Sequence, residues 1–227
     1  MRYCRPVRQL SFQRARSEEK KRQRAEALME AARFVAQENG VASVTLTAVA
    51  GRAGVHYSAV RRYFSSHKEV LLRLAVQGWQ RWAEHVCTAL QSPGPASPAR
   101  VSRALADGLA ADPLFCDLLS NLHLHLEHEV DLDRVVEVKR DSTAAGLRIV
   151  AEVHRALPGL TEQNALDLVL AAHSLAATLW QLANPPEGLA DAYALDPEVP
   201  PDWNLDFRTA LTRLLTATCI GLLDQSD

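Results

Sequence analysis

The sequence predicts an all-α fold in two helical parts, on three observations. Apolar residues recur at intervals of three and four along most of the chain, the spacing of one helix face, and no stretch of note alternates apolar with polar residues as a half-buried strand would. Clusters of Pro, Gly and Asn interrupt the chain at intervals that suit helices of ordinary length. Charge divides unevenly: residues 1–68 hold 14 Lys and Arg against 5 Asp and Glu, and residues 69–227 hold 11 against 22. A net +9 therefore precedes a net −11 in a chain whose total is −2.

The elements follow in order. A first helix is expected over 17–38, with Ser17 as its N-cap, although Lys20 rather than Glu stands three residues on. Leu28, Ala31, Ala32 and Val35 mark its buried face, and Asn39-Gly40 stops it. Thr47 caps a short second helix that ends at Gly54, and a third is expected over 57–64. Ser65-Ser66 breaks the chain before a long helix over 67–90, striped by Leu71, Leu74, Gly78, Trp82 and Val86. Ser92-Pro93-Gly94-Pro95 is a clear break. Helices are then expected over 98–111, 113–128, 132–157, 162–183 and 205–223, with a long loop over 184–203. Asp112-Pro113, Pro158-Gly159, Asn184-Pro185-Pro186 and Pro200-Pro201 separate several of them, because Pro lacks the N–H a helix interior needs. The expected division is a basic flexible arm over 1–16, a three-helix domain over 17–66 and a helical body over 67–227.

Residues 45–71, TLTAVAGRAGVHYSAVRRYFSSHKEVL, carry the chemistry. Two short helices joined by a Gly-containing turn make a helix-turn-helix unit, whose second helix is small enough for a DNA major groove. Ala50, Ala53 and Gly54 let the helices cross closely, while Val49, Val55, Val60 and Phe64 are apolar enough to seal the unit. The basic excess coincides with this pattern. A basic domain concentrates a protein on phosphate regardless of sequence, and the acidic remainder suits a body that stays off the polyanion. The bland alternative is a solvated basic face.

The first ~75 residues resemble the DNA-binding domain of the tetracycline-repressor (TetR) family. The resemblance rests on Thr45-Leu46-Thr47-Ala48-Val49-Ala50, then Ala53-Gly54-Val55, then Arg62-Tyr63-Phe64, then Ser66-His67-Lys68-Glu69. His56 stands where the family often has Ser, Arg61 where it often has Tyr, and His67 where it has the Lys of the next helix start, with Lys68 one place later. These departures bear on operator sequence, since an Arg can pair bidentately with guanine. The resemblance implies that Thr45 and Thr47 lie at the helix start that meets phosphate, and that Tyr63 and His67 or Lys68 hold the DNA backbone. It leaves His56, Tyr57, Ser58, Arg61 and Arg62 to face bases. Packing against neighbouring helices is the other reading for Tyr57 and Tyr63. The arm, with Arg2, Arg5, Arg8, Arg14 and Arg16, either lies in the minor groove or adds only nonspecific charge.

For the body, the resemblance implies a small-molecule pocket among its helices and a two-fold dimer. Trp79, Trp82, Cys116, Asn121, His173 and Trp180 are the candidate effector contacts, although large aromatics are more often core. Leu166, Val169, Leu170, His173, Ala177 and Trp180, with Phe207, Leu211, Leu214, Leu215 and Thr218, give the last two helices broader apolar faces than a lone surface helix needs, which favours a homodimer. The cluster His123, His125, Glu127, His128 and Glu129 resembles a metal site at first sight, yet positions 123 and 125 lie about 200° apart on a helix, so no single ion gathers them.

No G-x-S-x-G, Gly-rich phosphate loop or H-E-x-x-H appears, so neither an enzyme nor a cofactor is expected. Cys4, Cys87, Cys116 and Cys219 form no C-x-x-C, so no metal or disulfide framework is expected, and burial is the expected role of the last three. With no apolar run of signal-peptide or membrane-span length, a cytoplasmic location and no membrane partner are expected. The expected function is a sequence-specific, ligand-responsive transcriptional regulator, a repressor that a small molecule releases from a pseudo-palindromic double-stranded operator. A constitutive or architectural DNA binder and a helical enzyme are the contrasting classes.

Overall fold

The computed structural model describes residues 7–92, 94–122, 130–185, 195 and 205–225, with side chains from residue 18 onward. Every regular element among them is helical: α1 (Val7–Asn39), α2 (Leu46–Arg52), α3 (Tyr57–Val60), α4 (His67–Leu90), α5 (Pro98–Ala110), α6 (Pro113–Asn121), α7 (Leu132–Ala156), α8 (Glu162–Ala183) and α9 (Phe207–Asp224), with a 3-10 turn at Val41–Ser43. The chain divides into two compact units between Val70 and Leu71, four residues beyond the boundary read from the sequence.

In the first unit, α1 begins at Val7 rather than Ser17. The last proline before Gly40 is Pro6, and no glycine intervenes, so nothing in the backbone chemistry stops a helix there. The stretch expected as a flexible arm over 1–16 is therefore helical from Val7 onward. Leu28, Ala31, Ala32 and Val35 are all buried, as their spacing requires. Arg52 lies over the Phe34 ring at 3.3 Å from its centroid, a cation–π contact that ties α2 to α1.

The second unit builds one core from α4 to α9. Trp82, Phe115, Leu105, Ile149, Leu168 and Leu211 lie at its centre. Polar side chains start its helices. Ser97, Asp112, Asp131, Thr161 and Asp206 each accept a backbone N–H at an N-terminus, and Pro98 and Pro113 occupy first helical positions, where no N–H is missed. Asp112 also accepts from Arg81 Nε at 2.9 Å, joining α6 to α4. Ser120 Oγ donates to the Ala177 carbonyl at 2.7 Å, and Asn164 Nδ2 to that of Leu222 at 2.8 Å, fixing α6 and α9 to α8.

Two glycines permit close packing. A Cβ at Gly78 would lie 2.1 Å from Phe115 Cδ2, and one at Gly108 would lie 2.7 Å from Trp82 Cδ1. The α8 helix is long and apolar enough to cross a membrane by length and composition. It buries Ala165, Leu168, Val169, Ala172, Ala176 and Leu179 on one face against the core of the body. The His123–Glu129 cluster lies outside the described residues, among which no group of His, Cys, Asp and Glu is arranged to hold a metal.

Candidate nucleic-acid interface and body cavity

The turn between α2 and α3 is fixed by backbone chemistry. Gly54 has φ +65°, a conformation that costs a side-chain-bearing residue but not glycine. The Val55 N–H reaches back to the Ala50 carbonyl at 3.0 Å, and the Gly54 N–H to that of Gly51 at 3.2 Å. This paired ending, with a left-handed glycine just past the helix, satisfies carbonyls that would otherwise be orphaned.

Both short helices have side-chain caps. Thr45, not Thr47, caps α2: its Oγ1 accepts from the Ala48 N–H at 3.0 Å. Thr47 sits exposed in the first turn, where its hydroxyl is not needed for the cap. His56 caps α3 by accepting from the Ser58 N–H through Nδ1 at 3.2 Å, and it touches Ser58 Oγ at 2.9 Å. The residue that departs from the family's Ser thus does the work of a Ser cap. Accepting at Nδ1 places the ring proton on Nε2, a donor for a partner outside the chain.

The recognition segment is shorter than the 57–64 helix expected. Regular helix ends at Val60, and turns carry the chain on, held by the Tyr63 and Phe64 N–H groups on the Val60 carbonyl at 2.9 and 3.1 Å. Val60 and Phe64 are buried beneath it, while His56, Tyr57, Ser58, Arg61 and Arg62 are exposed and Tyr63 is half-buried. The two arginines differ. The Arg61 guanidinium donates to the Ser65 carbonyl, so it braces the loop, whereas Arg62 makes no such contact among the described residues.

The Ser66-His67-Lys68-Glu69 motif has a capping role that the sequence reading did not assign. Ser65, Ser66 and Glu69 together cap the start of α4. The Glu69 N–H donates to Ser66 Oγ at 3.1 Å, and the Glu69 carboxylate accepts from the N–H and hydroxyl of Ser65 at 2.7 and 2.8 Å. Glu69 is buried, and the cap holds His67 and Lys68 in the first turn of α4. The S-x-x-E spacing was the available signal.

The body carries a cavity of about 270 Å³. Helix α7 supplies one wall with Val138, Lys139, Ser142, Thr143, Gly146, Leu147 and Val150, a run at spacings of three and four that shares one helix face. Leu166, Val169, Leu170 and His173 of α8, Trp79 of α4 and Leu122 complete it. The Trp79 and His173 rings stack with centroids 5.2 Å apart and an interplanar angle of 22°. Leu147 and Leu170 are 55% and 52% exposed, so the cavity reaches solvent past them.

Of the six effector contacts read from the sequence, Trp79 and His173 line this cavity and four do not. Trp82 is 1% exposed and its indole N–H donates to the Leu105 carbonyl at 3.0 Å, so it is core. Cys116 is fully buried, and its thiol contacts the Leu109 carbonyl at 3.3 Å. Asn121 donates back to the Asp117 carbonyl on its own helix. Trp180 packs edge-on against Phe207. Burial pushes the Cys116 thiol up to about 12 and that of Cys219 to about 11, so both stay protonated and unreactive near neutral pH. Cys87, expected to be buried, is half-exposed.

Two family models match the chain. The one for bacterial regulatory proteins of the tetR family covers residues 28–74, and the one for the tetracyclin repressor-like C-terminal domain covers 76–226. No curated protein sequence matches it. Among solved structures, a transcriptional regulator from a Rhodococcus species aligns at TM-score 0.56 and 20% identity over 88% of this chain and 96% of its own. A TetR/AcrR-family regulator from Thermobifida fusca aligns at 0.52 and 17% over 86% and 97%. The regulator FadR of Bacillus subtilis, solved in complex with stearoyl-CoA, aligns at 0.51 and 14% over 87% and 98%.

Proposed function

The chain belongs to the TetR family of bacterial transcriptional regulators, and from that premise we propose that it is a dimeric repressor that a small molecule releases from its operator. The observation that carries this reading is the pairing of two sites of opposite form. An exposed polar segment, His56 to Tyr63, lies on a basic unit, and a walled apolar cavity lies in an acidic one. The first suits a groove of DNA and the second a small molecule.

On DNA, Arg62, Tyr57, Ser58 and the Nε2–H of His56 read base edges, while Thr47, Tyr63, His67 and Lys68 hold phosphates. Arg61 orders the loop. The dimer forms through α8 and α9, whose outward faces expose Leu170 and Leu182, and Leu214 and Ile220. Two copies present two recognition segments to half-sites about 34–36 Å apart. Helix α4 runs unbroken from the capped loop at Ser66 to Trp79 in the cavity wall and beyond. A ligand beside Trp79 that binds the DNA-free state better releases the operator, and by reciprocity operator DNA weakens the ligand. The protein acts in the cytoplasm, where its DNA is.

The test begins with selection of bound sequences from a random DNA pool. A two-fold symmetric consensus with half-sites one turn apart, bound by a species of twice the monomer mass in light scattering, is the expected result. Equal retention of all fragments would instead mark an architectural binder. A metabolite library is then titrated against tryptophan fluorescence and operator affinity together. A ligand that moves the first and not the second argues against the switch, and operator affinity that no bound ligand moves leaves a constitutive regulator.

A further inference from the structure

Building on the reading of the α7–α8 cavity as the effector site, we propose that it takes an uncharged apolar molecule of about one bicyclic ring system, and that Gly146 sets the size it accepts. The size follows from the volume. An apolar cavity of about 150 Å³ holds one benzene, a share of roughly 25 Å³ for each heavy atom. At that share, 270 Å³ holds about eleven heavy atoms.

The lack of charge follows from how α7 grades its wall. Residues four apart on a helix are neighbours along one face. Val138, Ser142, Gly146 and Val150 form an inner row, the two valines buried and the other two half-buried. Lys139, Thr143 and Leu147 form an outer row, and all three are exposed. Lys139 already has a partner of its own, and the His173 ring is stacked on Trp79. No carboxylate lines the space among the described residues. An ion carried past the outer row therefore loses its water without gaining a counter-charge, which costs far more than burying a hydroxyl. A hydroxyl can exchange a hydrogen bond with Ser142, and Leu166 and Val169 receive the rings.

Gly146 fixes the depth. A Cβ there would meet Trp79 Cζ3 at 3.6 Å, an ordinary contact, and nothing else outside α7 comes within 4 Å of it. A methyl therefore fits without displacing the tryptophan, and the branches of a larger residue enter open space, which is the cavity itself. The three carbons that valine adds take back roughly 75 Å³ and leave room for about eight heavy atoms. Valine is no worse than glycine in a helix interior, so the exchange leaves α7 in place.

Three rigid molecules of one skeleton test the charge limit on the full chain: 2-indanol, indane-2-carboxylate and 2-indanylammonium. Benzyl alcohol, two heavy atoms smaller than 2-indanol, tests the size limit. Each is titrated by calorimetry and by tryptophan fluorescence at fixed ionic strength, with operator release measured in parallel. 2-Indanol is expected to bind about tenfold or more tightly than either ion. Gly146→Val should weaken 2-indanol by about tenfold or more and hold benzyl alcohol within about twofold of the parent. Should valine lower the melting temperature, the smaller Gly146→Ala carries the size test, with the same order of loss. Equal or tighter binding of either ion, a Gly146→Val variant that keeps 2-indanol, equal loss of both alcohols in a variant that melts like the parent, or no binding by any of the four overturns the proposal. A selective 2-indanol response that leaves operator affinity unchanged supports the ligand class and sinks the effector reading. An ion that binds more tightly and releases DNA does the reverse.

Discussion

The recognition segment and the cavity wall are built from similar side chains. Residues 56–63 offer a histidine, two tyrosines, a serine and two arginines; the wall offers a histidine, a tryptophan, a serine, a threonine and a lysine. In the first case the polar groups stand in solvent above two buried apolar residues, Val60 and Phe64. In the second they line a space walled by three helices and shared with apolar neighbours, with Trp79, Ser142 and His173 half-buried and Lys139 and Thr143 exposed. Their surroundings decide what they can bind. An exposed basic set meets a polyanion, with affinity governed by counterion release and hence by salt. A set that shares its space with apolar walls gains most from burial of apolar surface, which moderate salt leaves largely alone.

The sharpest way to break this contrast is at Trp82. It lies three residues from Trp79 and 5.2 Å from it between ring centroids, yet it belongs to the core rather than the cavity. Trp82→Ala is expected to cost the body about 3–5 kcal/mol, with a melting temperature on the order of ten degrees lower by calorimetry. A loss of ligand response without such a drop would place Trp82 in the site after all. Gly78→Ala comes next. The helix gains about 0.5–1 kcal/mol in propensity, but Phe115 must move, and overpacking costs about 1–3 kcal/mol. Chemical denaturation should show a net loss of roughly 1–2 kcal/mol with the denaturant slope unchanged.

On the exposed side the expected effects fall on affinity. Arg62→Ala should lose about 1–3 kcal/mol of specific operator binding if it reaches a base, with nonspecific binding much less altered. Arg61→Ala should act more weakly and on all sequences alike, since its guanidinium orders the loop. An equal, operator-selective loss in both variants would show that Arg61 leaves Ser65 when DNA arrives. Smallest is deletion of residues 1–16, which removes five arginines. The slope of log affinity against log salt should become shallower by about 0.9 for each phosphate that the protein no longer neutralises, and effector binding should not change. An unchanged slope would take this stretch out of the DNA interface.

What the sequence discloses follows from which signals are local. The α2–α3 unit is legible because a left-handed turn demands Gly54 and a sealed pair of short helices demands small and branched residues around it. The start of α1 is misleading because a serine marks a helix start only where something stops the helix before it, and nothing precedes Ser17 to do so. Thr45 and Thr47 are chemically alike, so residue type points as readily to the wrong cap; only the extended backbone at Thr45 decides it. Aromatic size is a poor guide to the cavity. Trp82 and Trp180 fill space between helices, whereas the wall is largely Ser142, Thr143, Gly146 and their neighbours on α7. In sequence these read as an ordinary surface helix, because the space they face is made by α4 and α8, far away along the chain.

The cap at Ser65, Ser66 and Glu69 has a consequence for how such a reader diversifies. One buried carboxylate closes the loop after the recognition segment and opens the helix that follows, while Gly54 and Val60 fix its other flank. Of the outward-facing residues in between, His56 caps α3 and Arg61 braces the loop, while Tyr57, Ser58 and Arg62 contribute little to holding the fold. Replacing them alters which DNA is bound at almost no thermodynamic penalty, whereas a change at Glu69 strands two hydrogen-bond donors. Gene duplicates of this protein are thus free to drift toward new operators through positions 57, 58 and 62 while their scaffold stays constant. Laboratory libraries aimed at retargeting it belong at those same three positions.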